Sequence, residues 1–239
     1  MTNIVNGFKT TISLTVMACL FGTSAAWAEE DLWELDEQSI AIEDPMESLN
    51  RRIYQFNTTF DNYLLKPTAQ SYDKVTPKPV KTGISNFFSN LSYPVVVVND
   101  LLQGKFLQGG SDFARVVVNS TVGVLGIFDV ASHLDMPKHK EDFGQTLASW
   151  GVSDGPYLVL PFLGPSSVRD GSGVIVDAFA DPLYAIEGNG ARNAFVIGKS
   201  IDTRYQFFDE SKLLDEIAID PYAFLRSSYS QNREMQIKE

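Results

Sequence analysis

The sequence predicts an all-α fold in the main, a single body of amphipathic helices separated by proline- and glycine-rich breaks. Three observations predict it. Apolar residues recur at spacings of three and four along most of the chain. Asp-Pro and Ser-rich starts, with glycine ends, punctuate these segments as helix boundaries do. Only Val95-Val96-Val97-Val98 has the β-branched density of a buried strand.

The first helix opens at Asp44-Pro45-Met46-Glu47, where Asp44 can cap, Pro45 suits the first position and Glu47 can complete a capping box. Met46, Leu49, Ile53, Phe56, Phe60 and Tyr63/Leu64 form its apolar stripe, and an end is expected before Lys66-Pro67. Residues 68–74 form a short helix or turn, and Thr76-Pro77-Lys78-Pro79 is a rigid break. Helical spacing returns through Ile84, Phe87, Phe88 and Leu91. For the four valines, propensity favours a strand while the continuing Leu101-Leu102 and Phe106-Leu107 favour a helix, and local propensity leaves both open. Residues 111–120 read as another helix. Residues 121–128 are apolar, uncharged and broken by glycine, which suits a loop or helix pair buried in protein or lipid.

Residues 133–142 are a polar connector, followed by a helix that Gly151 closes. The proline-studded run 155–165 excludes a regular helix and a central strand. Ser166 to Asp170 reads as a capped helix start, with Arg169-Asp170 expected as a buried or interfacial ion pair. Asp181-Pro182 starts another helix, residues 194–208 and 209–217 read as two more, and Asp220-Pro221 begins the last.

The amino-terminal residues carry Lys9, an apolar stretch over 12–21 and Ala26-Trp27-Ala28, the anatomy of a secretory signal peptide spanning 1–28. Val16-Met17-Ala18-Cys19 is a loose lipobox, so lipidation of Cys19 is the alternative processing. Cys19 is the one cysteine, which excludes an intramolecular disulfide. Residues 29–43 are an acidic flexible lead-in, 44–233 the helical domain and 234–239 a tail. The formal charge is −11. Such an acidic chain is a poor partner for nucleic acid or for anionic headgroups, so any membrane contact must come from apolar surface. Outside the leader no apolar run reaches the length of a spanning helix.

Enzyme signatures are weak. His133 and His139, with Asp135, Glu141 and Asp142, match no metal-ligand spacing, and Gly164-Pro165-Ser166-Ser167 is not a nucleophile elbow. The sequence therefore predicts no catalysis and no cofactor.

Five blocks occur in order: DPMESLNR at the domain start; VTPKPVKTGISNFFSNLSYPVVVVNDLLQGK; RVVVNSTVGVLGIFDVA; EDFGQTLASWGVSDGPYLVLPFLGPSSVRD; and the pair IDTRYQ and DPYAFLRSSYSQNR. Together they resemble the MlaA (VacJ) family of outer-membrane phospholipid-removal lipoproteins, over nearly the whole mature chain. The resemblance implies a ring-like body lying in the membrane plane at the outer membrane, facing the periplasm. It further implies a trimeric porin neighbour, transfer of phospholipids from the outer leaflet to a periplasmic lipid carrier protein, and hence maintenance of lipid asymmetry. A porin-associated structural adaptor without lipid transport is the alternative.

Within that frame Gly123, Leu125, Gly126 and Phe128 are candidates for a mobile lipid gate, with a tight helix–helix turn as the equal alternative, because glycine serves both. Asn50, Arg51 and Arg52 are candidates for meeting a headgroup phosphate or for positioning the first helix. Cys19 is the candidate lipidation site.

Overall fold

The structure, a computed structural model, describes residues 44–238. The expected leader, Cys19 and the acidic lead-in lie outside the described residues.

Helix α1 (Glu47–Phe60) continues through one π-helical turn (Asp61–Leu65) into α2 (Lys66–Val75). The expected end before Lys66-Pro67 is thus corrected. Proline lacks an N–H and crowds the carbonyl four residues back. Widening the turn, as in the bond from the Lys66 N–H to the Asp61 carbonyl, accommodates it without breaking the helix. The expected capping box is also replaced. Asp44 accepts from the Met46 N–H at 3.2 Å and the Asn50 amide at 2.8 Å, while Glu47 pairs forward with Arg51 at 2.6 Å.

Helix α3 (Lys78–Leu102) takes in Pro94 and the four valines, which settles the choice between strand and helix. Helical pitch puts Val95 and Asn99 on one buried face. There the Asn99 amide donates to the Val95 carbonyl at 3.0 Å and to Asp177 at 2.9 Å. After Gly104, at φ +79°, the chain reverses into α4 (Phe106–Thr121), which packs along α3.

A loop leads to the single turn α5 (Val130–His133), capped by Asp129, and the polar connector then reaches α6 (Phe143–Ser149), capped by Asp142. Gly151, at φ +87°, closes α6 as expected. The proline-studded run is a two-stranded hairpin, β1 (Tyr157–Leu160) antiparallel to β2 (Gly164–Ser167), with Pro165 opposite Val159. A lone hairpin is all edge, which is where a strand proline is tolerated. Ser167 caps α7 (Val168–Ala180) by accepting from the Asp170 N–H at 3.1 Å. A 3₁₀ turn (Pro182–Ala185), α8 (Asn189–Gln206), α9 (Phe208–Ile217) and α10 (Pro221–Lys238) complete the order.

The distribution of polarity inverts that of a water-soluble domain. Among the described residues nine apolar side chains are buried, against seventeen polar or charged ones, and thirty-six large apolar side chains are exposed. Soluble proteins bury Ile, Val, Leu and Phe and leave charges outside. Here Arg115, Asp100, Asp112 and Asp202 are fully buried, while Leu107 is 94 % and Phe179 88 % exposed. No helix among the described residues is long and apolar enough to cross a membrane.

The buried charges are joined in networks. Asp170 on α7 receives Arg169 at 2.9 Å, Arg233 of α10 at 2.8 Å and the Tyr229 hydroxyl. Arg233 also reaches Asp142 with two 2.6 Å bonds. The expected Arg169–Asp170 pair is therefore present, as part of a larger hub that fastens α6, α7 and α10. Burial alone would raise the Asp170 carboxyl, but bonds from Arg233, Arg169 and Tyr229 hold it below the usual carboxylate range. Gly144 and Gly173 make the hub possible. A Cβ on Gly144 would stand 2.3 Å from the Arg233 guanidinium, and one on Gly173 would stand 2.6 Å from the Gly144 nitrogen.

Candidate functional site

The loop after α4 is built from its backbone outward. Val124, Leu125 and Gly126 all have left-handed φ, at +52°, +58° and +89°. A β-branched valine there is strained and needs compensation. Internal bonds supply it: Leu125 N–H to the Ser120 carbonyl at 3.0 Å, Gly126 N–H to Asn119 at 2.8 Å and Phe128 N–H to Gly123 at 2.9 Å. Val122, Val124, Leu125, Ile127 and Phe128 are all exposed, although Ile127 also rests against Gly83 of α3.

Both glycines are dictated by close approach. A Cβ on Gly123 would stand 2.2 Å from the Phe128 carbonyl and 2.5 Å from that of Asn119, and one on Gly126 would stand 2.4 Å from Asn90. The structure thus brings Gly123, Leu125, Gly126 and Phe128 together in one tight apolar turn.

Two amides of α3 hold this turn down. Asn86 donates to the Ile127 carbonyl at 3.2 Å, and Asn90 donates to the Ser120 hydroxyl at 2.9 Å. Beneath lies a buried polar layer. Arg115 of α4 donates to Asp129 at 3.0 Å, to Ser132 at 3.1 Å and to the Met136 carbonyl. Asn119 donates to Asp129 at 2.9 Å and accepts from the Ala131 N–H at 2.9 Å. Although burial works against it, the Ser132 and Asn119 bonds and the Arg115 charge hold the Asp129 carboxyl below its usual range.

A narrow polar cleft runs between this layer and α3, lined by Asn86, Asn90, Tyr93, Arg115, Asp129 and Lys138. On the other side of Asn90 lies an apolar groove formed by Phe87, Leu91, Pro94, Val116, Leu125 and Pro182. The loop therefore lies beside a junction with a polar side and an apolar side, and contributes Leu125 to the apolar one.

Asn50, Arg51 and Arg52 lie elsewhere, on α1. Asn50 is fully buried, donating to the Tyr157 carbonyl at 3.0 Å and accepting from the Val159 N–H at 2.9 Å, so it clamps the hairpin to the helix. Arg51 binds Asp220 at 2.7 Å and stacks over the Tyr222 ring at 4.3 Å. Arg51 thus positions α1 against α10, while Arg52 is exposed. His139 pairs with Asp112 at 2.9 Å, and among the described residues no group of three His, Cys, Asp or Glu could hold a metal ion.

Sequence reasoning singled out the loop but missed Asn86, Asn90, Arg115 and Lys138. A signal existed: Asn86, Asn90 and Tyr93 recur at spacings of four and three along one helix, and Asp112, Arg115 and Asn119 at three and four along the next. Two such polar stripes on neighbouring helices mark a buried polar seam.

The comparisons with known proteins agree with this picture. The model of the family described as "MlaA lipoprotein" matches residues 42–236. The intermembrane phospholipid transport system lipoprotein MlaA of Escherichia coli K12 is 35 % identical over 195 residues, covering 80 % of this chain and 77 % of the relative. The protein of that name from Haemophilus influenzae is 28 % identical over 235 residues, covering 97 % and 92 %. A solved structure described as "Structural basis for maintenance of bacterial outer membrane lipid asymmetry" superposes with TM-score 0.71 at 33 % identity, covering 82 % of this chain and 99 % of that one. The chain belongs to the MlaA lipoprotein family.

Proposed function

We infer that this chain sits in the outer membrane as part of a phospholipid transport system that removes misplaced phospholipids from the outer leaflet, so maintaining lipid asymmetry. The observation that carries the reading is the inverted polarity: charges buried, large apolar side chains outside, and no described helix able to cross a bilayer. Exposed apolar area of this extent marks a membrane or protein contact, and each square ångström covered contributes about 25 cal/mol. Amphipathic elements lying in one leaflet satisfy both facts. The names of the relatives and the subject of the matching structure supply the substrate class and the membrane.

A trimeric porin and a periplasmic carrier are the partners this role requires, one holding the body in the leaflet and one receiving the lipid. The loop at 121–128 is the gate: it closes over a junction that is polar on one side and apolar on the other, as passage of a headgroup with its tails demands. Catalysis has no part in this reading.

Deleting the gene in the native host and labelling intact cells with an impermeant amine-reactive reagent tests the reading. Outer-leaflet phosphatidylethanolamine should rise and fall again on complementation, with a porin cross-linking to the complementing protein. Unchanged labelling in the deletion strain would leave only an envelope adaptor.

A further inference from the structure

Two carboxyls meet in the interior where α3, α4 and the polar connector converge. Asp100 of α3 and Asp112 of α4 are both fully buried, and their side chains lie within hydrogen-bonding reach of each other. Gly109 permits the approach: a Cβ there would stand 3.1 Å from that of Asp100, and Asp112 follows three residues later on the same helix face. Both Asp112 oxygens are taken. Oδ1 accepts from the Tyr93 hydroxyl at 3.1 Å, and Oδ2 bonds to the His139 ring at 2.9 Å. Asp100 Oδ1 accepts from Gln108 at 2.7 Å, but its buried Oδ2 accepts from no donor among the described residues. The nearby cations are engaged elsewhere, Lys105 with Glu141 and Arg115 with Asp129, and Asp177 of α7 stands behind Asn99. A buried carboxylate oxygen without a donor, beside a second carboxylate, is costly. A proton on Asp100 Oδ2 removes that cost, because the carboxyl then donates to Asp112.

We propose that Asp100 and Asp112 share one proton, and that this proton latches the connector, residues 134–142, onto the α3–α4 pair. The connector is held at two points, and both lead back to the two carboxyls. At the first, the His139 ring bonds to Asp112 while the His139 N–H donates at 3.0 Å to the same Tyr93 hydroxyl that donates to Asp112. At the second, Glu141 accepts from Lys105 at 2.7 Å and from Gln108 at 2.9 Å, through the same amide nitrogen that donates to Asp100. Gln103 extends the chain, donating to Glu141 at 2.8 Å and to the Thr146 hydroxyl of α6 at 3.3 Å. This latch is independent of the transport reading.

When the surroundings turn alkaline the proton passes to solvent, and two buried carboxylates are left facing each other with one oxygen unsatisfied. Lifting the connector relieves this by admitting water beside His139, whose side chain is already partly exposed. Burial and Asp112 push the Asp100 carboxyl up to about 7, so the release falls near neutral pH. The latch is complete below that value and weakens as pH rises through it.

Hydrogen exchange of the full-length protein in mild detergent micelles, read by mass spectrometry, tests the latch. The measured quantity is the exchange rate of residues 134–142 divided by that of α8, which lies outside the network, so the intrinsic effect of pH cancels. In the wild type this ratio should rise about tenfold between about pH 5.5 and pH 8.5, the worth of one buried hydrogen bond. In Asp100→Asn it should stay flat, because the asparagine amide donates to Asp112 at every pH. Asp112→Asn, whose amide donates to Asp100 in the opposite direction, should flatten it as well. A flat ratio in the wild type would overturn the latch. A rise of equal size in Asp100→Asn and Asp112→Asn would place the responsive group elsewhere and overturn the shared proton.

Discussion

The Asp170 hub and the loop at 121–128 hold themselves together by opposite means. At the hub, three helices meet through buried charges, and two glycines let the backbones approach until a methyl group would collide with a guanidinium. In the loop no charge is present, the backbone bonds to itself through strained left-handed residues, and the large apolar side chains remain exposed. The difference teaches where stability resides. On the proposed membrane reading, an apolar exterior facing lipid gains little by packing against itself, so polar networks specify the frame. The loop, fastened to α3 by two amides, adds no charge to those networks.

Breaking the hub should therefore have the largest effect. Asp170→Ala leaves Arg169 and Arg233 facing each other without their shared carboxylate, which should cost about 3–5 kcal/mol, read as a large fall in the detergent melting temperature. A loss of less than about 1 kcal/mol would mean that apolar packing, and not charge, specifies the frame. Gly144→Ala comes next, at about 1–3 kcal/mol, because the Arg233 guanidinium must move to admit the methyl group.

Acidity should sharpen the same contrast. Asp142 and Asp170 are held below the usual carboxylate range by Arg233 and their other hydrogen bonds, so their stabilisation is present above that range and lost as pH falls through their lowered values. Asp100 runs the other way. Burial and the neighbouring Asp112 carboxyl, with Glu141 across the Gln108 amide, push its carboxyl up to about 7. The folded chain then holds a proton that the unfolded chain releases near pH 4, so this contribution is complete at low pH and fades as pH rises through about 7. Wild type should lose melting temperature relative to Asp100→Asn between about pH 4 and pH 7. A constant offset would show that Asp100 keeps an ordinary pKa.

The smallest change in stability should come from the loop. Leu125→Ser or Phe128→Ser removes a side chain already exposed, so melting should shift by no more than about 0.5 kcal/mol while lipid removal slows severalfold. A fold-destabilising effect equal to that of Gly144→Ala would show that the loop is packed as tightly as the hub and does not open.

Much of the helix content was legible in the sequence, because spacing, caps and terminal glycines are local. Gly151, Ser167 and Asp181 end or begin elements where expected. Two local features misled. Pro67 reads as a stop, yet a widened π turn carries the helix past it. Val95 to Val98 reads equally as strand or helix, and the choice was made by Asn99 meeting Asp177 across 78 residues. The site was legible in part. Glycine in an apolar run drew attention to the loop, but Arg115 and Lys138 acquire meaning only when α3, α4 and the polar connector converge. Asn50 read as a candidate for a headgroup phosphate or for positioning the first helix, since nothing near it in sequence announces the hairpin more than a hundred residues away that it binds. Periodicity identifies an apolar face without saying what covers it, so the inversion of inside and outside had to come from three dimensions.

That inversion is the central claim, and hydroxyl-radical footprinting of the protein in native outer-membrane vesicles tests it most directly. Leu107, Phe128, Phe179 and Tyr63 are all exposed on the chain itself, and radical chemistry would mark them heavily in water. The account predicts strong protection of these four in the membrane and its loss when lipid is exchanged for a short-chain detergent, with Lys140 on the polar connector labelled in both. Heavy labelling of Leu107 and Phe179 in intact vesicles would contradict it.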